Sequence, residues 1–398
     1  MKLTTEEQEM LDGKHGRAVK KSMEILETLG NIFDAERMIP ITSVQVAGVS
    51  YANLGEAGLE YLNELAIDGK VRVLTTLNPA GMDRENWKTL GISEEFAKNQ
   101  NRVLEAFGQM DIITTASCTP YLIGNNPHFG EHIAWAESSA VCYSNSVIGA
   151  KTNREGGPSA LAAALTGRTP EYGFHLDKNR QPQILIDVKT KVTGSDQFGV
   201  LGKVIGDHLD RTGLKIPYIT GIDNADLEEL KSFCASVATY GGCGLFHMEG
   251  VTPESTQKYI MVPLEPQITI TEKDMANTRE ELTDDVEIDF VSIGCPHSSL
   301  QEIRQIAKLI EGKKVTKEFW ITTARPTKKL ADEAGYAKII EDSGAKFASD
   351  TCCVVAPIKG KFSGMMINSG KACFYARGRH KMKVKIASLE DCVLEATS

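Results

Sequence analysis

The stretch IDFVSIGCPHSS, residues 288–299, indicates the fold class, because an apolar strand pattern at 288–293 gives way to a helix pattern from residue 298. Helices and strands then alternate toward the C-terminus, predicted in turn at residues 298–311, 318–323, 326–342 and 345–349. Similar apolar runs upstream predict strands at residues 41–48, 71–77, 112–115, 183–188 and 216–222. Alternating strands and helices are typical of an α/β protein with mostly parallel sheets.

The length of the chain predicts more than one hydrophobic core. A chain of 398 residues exceeds the size of an ordinary single domain, so we expect at least two α/β units. The polar stretch 265–286 is linker-like, with a helix as the alternative over residues 275–283, and it indicates a boundary near residue 280. We therefore predict one unit at residues 1–280, which begins with helices within residues 5–36, and a C-terminal α/β unit at residues 281–398. A helix is also predicted over residues 130–149.

Charge and hydropathy argue against several classes of protein. The net charge of −9 disfavours nucleic acid and anionic membranes as binding partners. No apolar run approaches the roughly 18 residues of a transmembrane helix, and the polar N-terminus does not resemble a signal peptide. The expected location is therefore cytoplasmic. The nine cysteines are an odd number in a large chain, which favours buried thiols or metal ligands over disulfides.

Three cysteines occupy the same position relative to a predicted strand. Cys118 follows DIITTAS, Cys295 follows IDFVSIG and Cys352 follows KFASDT. Ligands collect at the carboxyl ends of strands in open α/β sheets. Three thiolates that meet there could hold an iron-sulfur cluster and leave one iron open as a Lewis acid. The alternative is three ordinary core thiols, because free cysteine is often buried and no CxxC pair supports a cluster.

Four polar segments are candidates for binding an anion. Two of them close early strands, where backbone N–H groups favour phosphate or carboxylate. Another precedes a polar loop rich in glycine, and the last combines Ser-Gly-Lys with an arginine suited to carboxylate or phosphate. In chain order the candidates are Gly48, Val49, Ser50, Asn78, Pro79, Asn145, Ser146, Ser369, Lys371 and Arg377. The competing interpretations are ordinary βα loops, a helix end and a solvated basic turn.

Five longer segments together resemble the aconitase X family. They are TTASCTPYLIGNNP around Cys118, ESSAVCYSNSVIGAKTNREGGPSAL from Glu137, IGCPHSS around Cys295, SDTCCVVAP around Cys352 and MINSGKACFYA from Met366. The resemblance spans nearly the whole chain. It implies an aconitase-like multi-domain architecture, in which α/β domains surround a cluster, and we expect this chain to lack the family's swivelling domain. It also implies a hydro-lyase, a dehydratase that acts on a small anionic phosphorylated hydroxy acid.

The resemblance assigns roles to most of the candidate residues. It implies that Cys118, Cys295 and Cys352 are the cluster ligands, since the family pattern Asp-Thr-Cys selects Cys352. The adjacent Cys353 leaves two thiols at a place where the pattern needs one. The resemblance also implies that the seven anion-binding candidates from Gly48 to Ser146 line the substrate pocket, whereas the last three candidates rest on their chemistry alone.

The resemblance further implies a cofactor and a partner. The cofactor would be an iron-sulfur cluster of the 4Fe-4S type, although a 2Fe-2S cluster also fits three cysteines. The partner would be a small subunit that carries the swivelling domain, as in the members with two chains, and that forms a heterodimer with this chain. We expect the general base, a serine in aconitase-like enzymes, on that partner.

Three other functions compete with this one. A dehydratase of the same family that acts on cis-3-hydroxy-L-proline would need a site for a secondary amine and none for phosphate. A non-catalytic binding protein of the same fold would hold no cluster. A zinc hydrolase is disfavoured, because His128 and His132 do not form an HExxH motif and offer no third ligand.

Overall fold

A computed structural model describes residues 1–263, 265 and 267–398 of the chain. Within these residues, three parallel sheets follow one another along the chain, and a two-stranded antiparallel ribbon accompanies the first of them. The prediction of an α/β protein with mostly parallel sheets is therefore confirmed. None of the described helices is both long and apolar enough to cross a bilayer.

The first region runs from the N-terminus to the end of the ribbon. Its helices are α1 (Thr5–Leu11), α2 (Arg17–Ile32), α3 (Tyr51–Ala66), α4 (Glu94–Gln109), α5 (Ser138–Tyr143) and α6 (Gly157–Thr166). Its strands are β1 (Met38–Pro40), β2 (Ser43–Val46), β3 (Leu74–Leu77), β4 (Ile113–Ala116), β5 (Ala134–Trp135) and β6 (Arg168–Pro170). The sheet has the order β4-β3-β2-β5, and β1 pairs with β6. Helix α6 consists largely of alanine and leucine and is buried on all sides, which places it in the centre of this region.

The single helix predicted over residues 130–149 is wrong. Ala134–Trp135 form β5, which pairs in parallel with β2, and only the six residues of α5 are α-helical. A π-helical turn, Ser144–Ile148, then follows directly. A short buried apolar run fits a strand as well as a helix, and the sequence pattern alone could not separate them.

The second region packs two long helices against a four-stranded sheet. Its elements are β7 (Ile184–Val188), α7 (Ser195–Thr212), β8 (Pro217–Thr220), α8 (Leu227–Gly241), β9 (His247–Met248), β10 (Ile268–Ile270) and α9 (Glu272–Glu281), and the sheet order is β10-β7-β8-β9. Helices α7 and α8 approach closely, since a Cβ atom at Gly206 would lie 2.9 Å from the backbone nitrogen of Gly241. The linker predicted over 265–286 is wrong where β10 and α9 lie, whereas α9 agrees with the alternative of a helix over 275–283, and Pro266 is outside the described residues.

The third region is the alternating pattern from which the fold class was predicted. Its elements are β11 (Phe290–Ile293), α10 (Leu300–Ile310), β12 (Glu318–Thr323), α11 (Arg325–Glu333), α12 (Tyr336–Asp342), β13 (Lys346–Ser349), β14 (Gly364–Ile367), α13 (Gly370–Tyr375), β15 (Lys383–Ile386) and α14 (Leu389–Thr397). The sheet order is β13-β12-β11-β14-β15. The helix predicted over 326–342 is divided at Gly335, which has a φ of +78°. The division of the chain near residue 280 stays a prediction, and the span before it contains two sheets.

One large hydrophobic cluster joins these regions. It contains Met82 from the first region, Phe198 from the second and Phe290 from the third, together with the thiols of Cys295 and Cys352. The strand ends that carry the candidate cysteines are therefore buried at the junction of the regions.

Candidate active site

The three cysteines predicted from the strand ends lie together where the first and third regions meet. Cys118 follows β4, Cys295 follows β11 and Cys352 follows β13, and all three are buried. Burial, Glu137 and Cys352 together raise the pKa of Cys118 to about 12. Burial also raises the pKa of Cys295, and the Cys353, Cys352 and Cys118 thiols raise it further. Groups that shift one another's pKa lie within electrostatic reach, and hydrogen bonds of His297 also link the three loops that carry these cysteines.

His297 connects the three loops that carry these cysteines. Its backbone N–H donates to Cys118 Sγ at 3.2 Å. Its Nε2 donates to the Thr351 carbonyl at 2.9 Å, and its Nδ1 accepts from the Ser117 hydroxyl at 3.1 Å. Thr351 and Ser117 each directly precede a candidate cysteine, and His297 follows the third after one intervening residue. Burial lowers the pKa of His297 to about 4, so the ring is neutral, with one nitrogen to donate and one to accept.

A buried ion pair lies beside the cysteines. Lys371 of α13 donates to Glu137, which also caps α5 by accepting from the Ala140 N–H at 2.7 Å. Burial lowers the pKa of Lys371, but the charges of Glu137, Cys295 and Cys118 raise it above its ordinary value. Burial raises the pKa of Glu137, yet Lys371 and the nearby hydrogen bonds outweigh burial, and the pKa is lowered. Both groups are therefore charged, and they hold a fixed pair of opposite charges against the thiols.

Cys352 and Cys353 differ in the surroundings of their sulfur atoms. Burial raises the pKa of Cys352, while the backbone N–H groups of Val355 and Val354 lower it. For Cys353, burial and the charge of Cys352 raise the pKa far above its ordinary value, and they outweigh the hydrogen bonds from Ser292 and from its own backbone N–H. Hydrogen bonds from N–H groups stabilise a thiolate. This difference favours Cys352 as the ligand of the two.

Gln100 holds together the two strand-end loops that are predicted to bind an anion. It lies on α4, and its side chain is fully buried. Its Oε1 accepts from the N–H groups of Tyr51 and Gly81 at 3.0 Å each, and its Nε2 donates to the Val49 carbonyl at 3.0 Å. Val49 and Tyr51 lie where β2 leads into α3, and Gly81 lies in the loop after β3. One amide side chain thus sets the distance between the two loops.

Several buried polar atoms around these loops lack a partner. Ser50 Oγ and Asn78 Oδ1 make no hydrogen bond to any described residue, and neither do Ser298 Oγ and Thr351 Oγ1 beside the cysteine-bearing strands. Buried polar atoms are nearly always hydrogen-bonded in folded proteins, so these four are available to a ligand. Gly48 adds space to the same end of the sheet, since its φ is +83° and no atom lies within 4 Å of where a Cβ would stand.

A charge network fastens the third cysteine loop to the loop after β3. Arg325, at the start of α11, donates to Asp350 at 2.8 Å and to Asp83 at 3.2 Å. Asp83 also accepts from the Ser349 N–H at 2.8 Å, and the Ala80 N–H donates to the Asp350 carbonyl at 2.9 Å. Asp350 has a φ of +63°, an uncommon value for a residue with a side chain. The network therefore holds in place a turn that the backbone alone does not favour.

Three family models match consecutive parts of the chain. They describe the first domain of aconitase X at residues 1–178, the second at residues 182–280 and the third at residues 288–398. The chain belongs to the aconitase X family. Its structure is similar to the crystal structure of Thermococcus kodakaraensis aconitase X in the holo-form, with a TM-score of 0.92, 45% identity and 100% coverage of both chains. The predicted aconitase X architecture is confirmed.

Curated members of the aconitase X family that resemble this chain are named as dehydratases. The phosphomevalonate dehydratase large subunit of Methanothermobacter thermautotrophicus is 46% identical over 377 residues, which cover 94% of this chain and 93% of that protein. The protein of the same name from Thermococcus kodakarensis is 46% identical over 400 residues and is covered completely. The cis-3-hydroxy-L-proline dehydratase of Hypocrea jecorina is 32% identical, and the match covers 99% of this chain but 68% of that protein. Dehydratases are hydro-lyases, in agreement with the predicted class of enzyme.

Two of the predicted substrate contacts have structural roles within this aconitase X chain. Asn145 Nδ2 donates to the carbonyl groups of Thr152 and Gly244 at 2.9 Å each. Ser146 Oγ accepts from the Phe246 N–H at 2.9 Å. Both side chains are fully buried and tie the first region to the second. Contact of Asn145 and Ser146 with a substrate stays a prediction.

The three residues of the Ser-Gly-Lys segment separate in the structure. Lys371 lies beside the cysteines, as described above. Ser369 caps α13, where its Oγ accepts from the Ala372 N–H at 3.2 Å. Arg377 points away into an ion pair with Asp284 at 2.9 Å, which occupies its guanidinium group. An anion contact through Arg377 would require that pair to open.

Four residues that shape the site were not among the sequence candidates. Glu137 and His297 lie inside the segments ESSAVC and IGCPHSS, which carry the family resemblance. Those two segments therefore marked both residues as candidates for the site. Gln100 and Arg325 lie outside those segments, and their roles depend on contacts across the fold.

Replacement of Gln100 by Met should loosen both anion-binding loops. The change keeps the volume but leaves the Tyr51 and Gly81 N–H groups and the Val49 carbonyl unpaired. We expect the free energy of unfolding to fall by at least about 3 kcal/mol, because three buried groups lose their partner and each costs about 1–3 kcal/mol. Guanidinium unfolding measures this loss. Gln109→Met on the exposed end of the same helix is the control, and an equal loss in both variants would contradict the bridging role.

Proposed function

We propose that this chain is the large subunit of a phosphomevalonate dehydratase. The reaction converts (R)-mevalonate 5-phosphate to trans-anhydromevalonate 5-phosphate in the cytoplasm, as a step of the mevalonate pathway of isoprenoid biosynthesis. The observation that carries the proposal is the meeting of three buried strand-end thiols beside unpartnered polar atoms. The choice of substrate is supported by four relatives of that name that are 43–46% identical over at least 94% of this chain.

An iron-sulfur cluster of the 4Fe-4S type fits the donor set of this site. Cys118, Cys295 and Cys352 would hold it, because thiolates are the usual protein ligands of such clusters. In the part of the chain that the structure describes, no three His, Cys, Asp or Glu side chains are placed to bind a single metal ion. A cluster spreads its ligands over several iron atoms, so it needs no such close group. With three protein ligands, a bound cluster supplies an open iron that acts as a Lewis acid toward a hydroxyl group.

Residues of this chain are proposed to bind and orient the substrate. The phosphate would lie against the turn Gly48–Ser50, where α3 begins and backbone N–H groups favour an anion. The unpartnered atoms Ser50 Oγ and Asn78 Oδ1 would complete its hydrogen bonds. Lys371 keeps a positive charge beside the cysteines, where it would attract the substrate carboxylate. Because the site is buried at the junction of the regions, bound substrate is shielded from bulk water.

A second subunit is proposed to complete the site. Four curated relatives that match nearly their whole length are named large subunits, which implies a small-subunit partner. We assign no general base to this chain. A small subunit with the swivelling domain would form a heterodimer with it and would bring the base to the proton next to the carboxylate.

An assay of the two-chain enzyme tests the proposed function. The chain would be co-expressed anaerobically with its small partner and supplied with mevalonate 5-phosphate, mevalonate and cis-3-hydroxy-L-proline. We expect turnover of the first compound, with a kcat/KM about 100-fold or more above the other two, because the phosphate contributes several charge-assisted hydrogen bonds. A brown protein with visible absorption is expected. A preference for cis-3-hydroxy-L-proline would contradict the substrate, and a colourless protein without turnover would favour a binding protein.

A further inference from the structure

Arg379 extends from the third region to helix α3, which follows the turn Gly48–Ser50 that is proposed to bind the phosphate (the phosphate loop). It lies in the π-helical turn Ala376–His380, after α13, and is half-buried. Its guanidinium donates to Asn53 Oδ1 at 3.1 Å. Asn53 lies in the first turn of α3, three residues after Ser50. The positive charge of Arg379 is therefore held at the N-terminal end of α3, next to the phosphate loop Gly48–Ser50.

The charge of Arg379 is not neutralised by the chain. No carboxylate among the described residues lies within 4 Å of its guanidinium, and its contact with Asn53 is to an uncharged amide. Arg377, two residues earlier, is in contrast paired with Asp284. Arginine presents a planar set of donors that matches phosphate oxygens, and two of them can bind one phosphate together. Arg379 therefore has the chemistry that was predicted for Arg377.

The position of Arg379 also relates the phosphate loop to the cysteines. The next residue, His380, lies against the backbone of Cys353 and Val354. Arg379 thus stands between the third cysteine loop on one side and α3 on the other. A substrate with a phosphate at one end and a hydroxy acid at the other needs recognition groups at two such places.

A small cavity reaches Asn53, the residue that Arg379 contacts. It has a volume of about 220 Å³, and its lining includes Gly48 and Asn53 together with apolar residues such as Leu62, Phe107 and Leu161. Sites for drug-sized ligands measure about 300–1,000 Å³, so this one suits a small molecule. Gly48 belongs both to the cavity wall and to the predicted phosphate loop.

We propose that Arg379 binds the phosphate of the substrate together with the Gly48–Ser50 loop, and that it sets the preference for a phosphorylated substrate. The proposal rests on the proposed function and adds a recognition residue to it. Arg379 pairs with two of the three terminal oxygens of the phosphate, while Asn53 holds the guanidinium in place.

The test compares arginine variants of the two-chain holoenzyme. We expect Arg379→Ala to raise the KM for mevalonate 5-phosphate by about 10- to 100-fold with little change in kcat, because one charge-assisted pair is lost. Arg379→Lys should recover part of the affinity, since a lysine keeps the charge without the planar donors. Residual turnover of unphosphorylated mevalonate should not change. The control is Arg102→Ala. Arg102 lies on α4 and forms an exposed pair with Glu56 of α3, the helix that also carries Asn53, so its loss should leave KM unaltered.

Titration calorimetry with inorganic phosphate separates this proposal from the proposed function. Weak phosphate binding that is lost in Arg379→Ala supports the recognition residue even if mevalonate 5-phosphate proves not to be the substrate. Turnover of mevalonate 5-phosphate with an unchanged KM in Arg379→Ala overturns the role of Arg379 and leaves the proposed function standing. A rise in KM that occurs in Arg377→Ala and not in Arg379→Ala also overturns it.

Discussion

Replacement of Cys352 by Ser is expected to remove both the cluster and all measurable turnover, whereas Cys353→Ser should keep both. The two cysteines are adjacent and both buried, but burial and the charge of Cys352 hold the pKa of Cys353 far above its ordinary value, whereas the N–H groups of Val355 and Val354 favour a thiolate at Cys352. A serine hydroxyl at residue 352 cannot supply the thiolate that iron prefers. Iron and sulfide content, visible absorption and turnover of the anaerobically purified two-chain enzyme measure the outcome.

Three further variants make this comparison decisive. Cys118→Ser and Cys295→Ser should behave as Cys352→Ser does, and Cys392→Ser, in the remote helix α14, should retain a full iron content. Loss of iron in Cys353→Ser with retention in Cys352→Ser would exchange the two assignments. Full iron content and activity in Cys118→Ser, Cys295→Ser and Cys352→Ser would remove the basis of the cluster site.

Replacement of Lys371 by Met is expected to destabilise the fold by about 3–5 kcal/mol, because it leaves the carboxylate of Glu137 buried without its partner. In the variant, burial raises the pKa of Glu137, since the opposing effect of Lys371 is gone. A buried carboxyl with a raised pKa costs most stability at high pH and takes up a proton as the pH falls. The loss in free energy of unfolding, relative to the natural chain, should therefore shrink as the pH is lowered from neutrality. Guanidinium unfolding at several pH values measures it.

A double variant separates stability from function at this pair. Glu137→Gln with Lys371→Met removes both charges, and we expect it to recover most of the lost stability. Turnover should remain low in the double variant, because the positive charge beside the cysteines is absent. Recovery of both stability and turnover would show that Lys371 serves only to neutralise Glu137. A solvent-exposed pair elsewhere, Lys338 and Asp342 on α12, should show no effect of this size.

The convergence of the cysteines could be predicted from the sequence for a physical reason. Cys118, Cys295 and Cys352 each lie two or three residues after a predicted strand, and the carboxyl ends of parallel strands share one edge of a sheet. A local pattern was therefore enough to place each thiol at such an edge. The family resemblance, rather than the pattern, was needed to join edges of different sheets.

Other parts of the site could not be predicted because their partners are far apart in the chain. Glu137 and Lys371 are separated by 234 residues, and no local pattern marks them as a pair. The two π-helical turns after α5 and α13 were also missed. Each ends in a left-handed residue, Gly149 or Lys381, and a one-residue change in helix register leaves little trace in hydrophobic periodicity.

The span between Glu137 and Lys371 has a consequence for the biogenesis of the protein. The first region, with Cys118 and Glu137, emerges from the ribosome long before α13 is translated, and N-terminal domains generally fold first. During that interval the nascent polypeptide has an acidic group without a counter-ion and a thiol without its companions. If Cys118, Cys295 and Cys352 hold the proposed cluster, its assembly requires the completed polypeptide, and truncated translation products that lack Cys295 and Cys352 would not hold it.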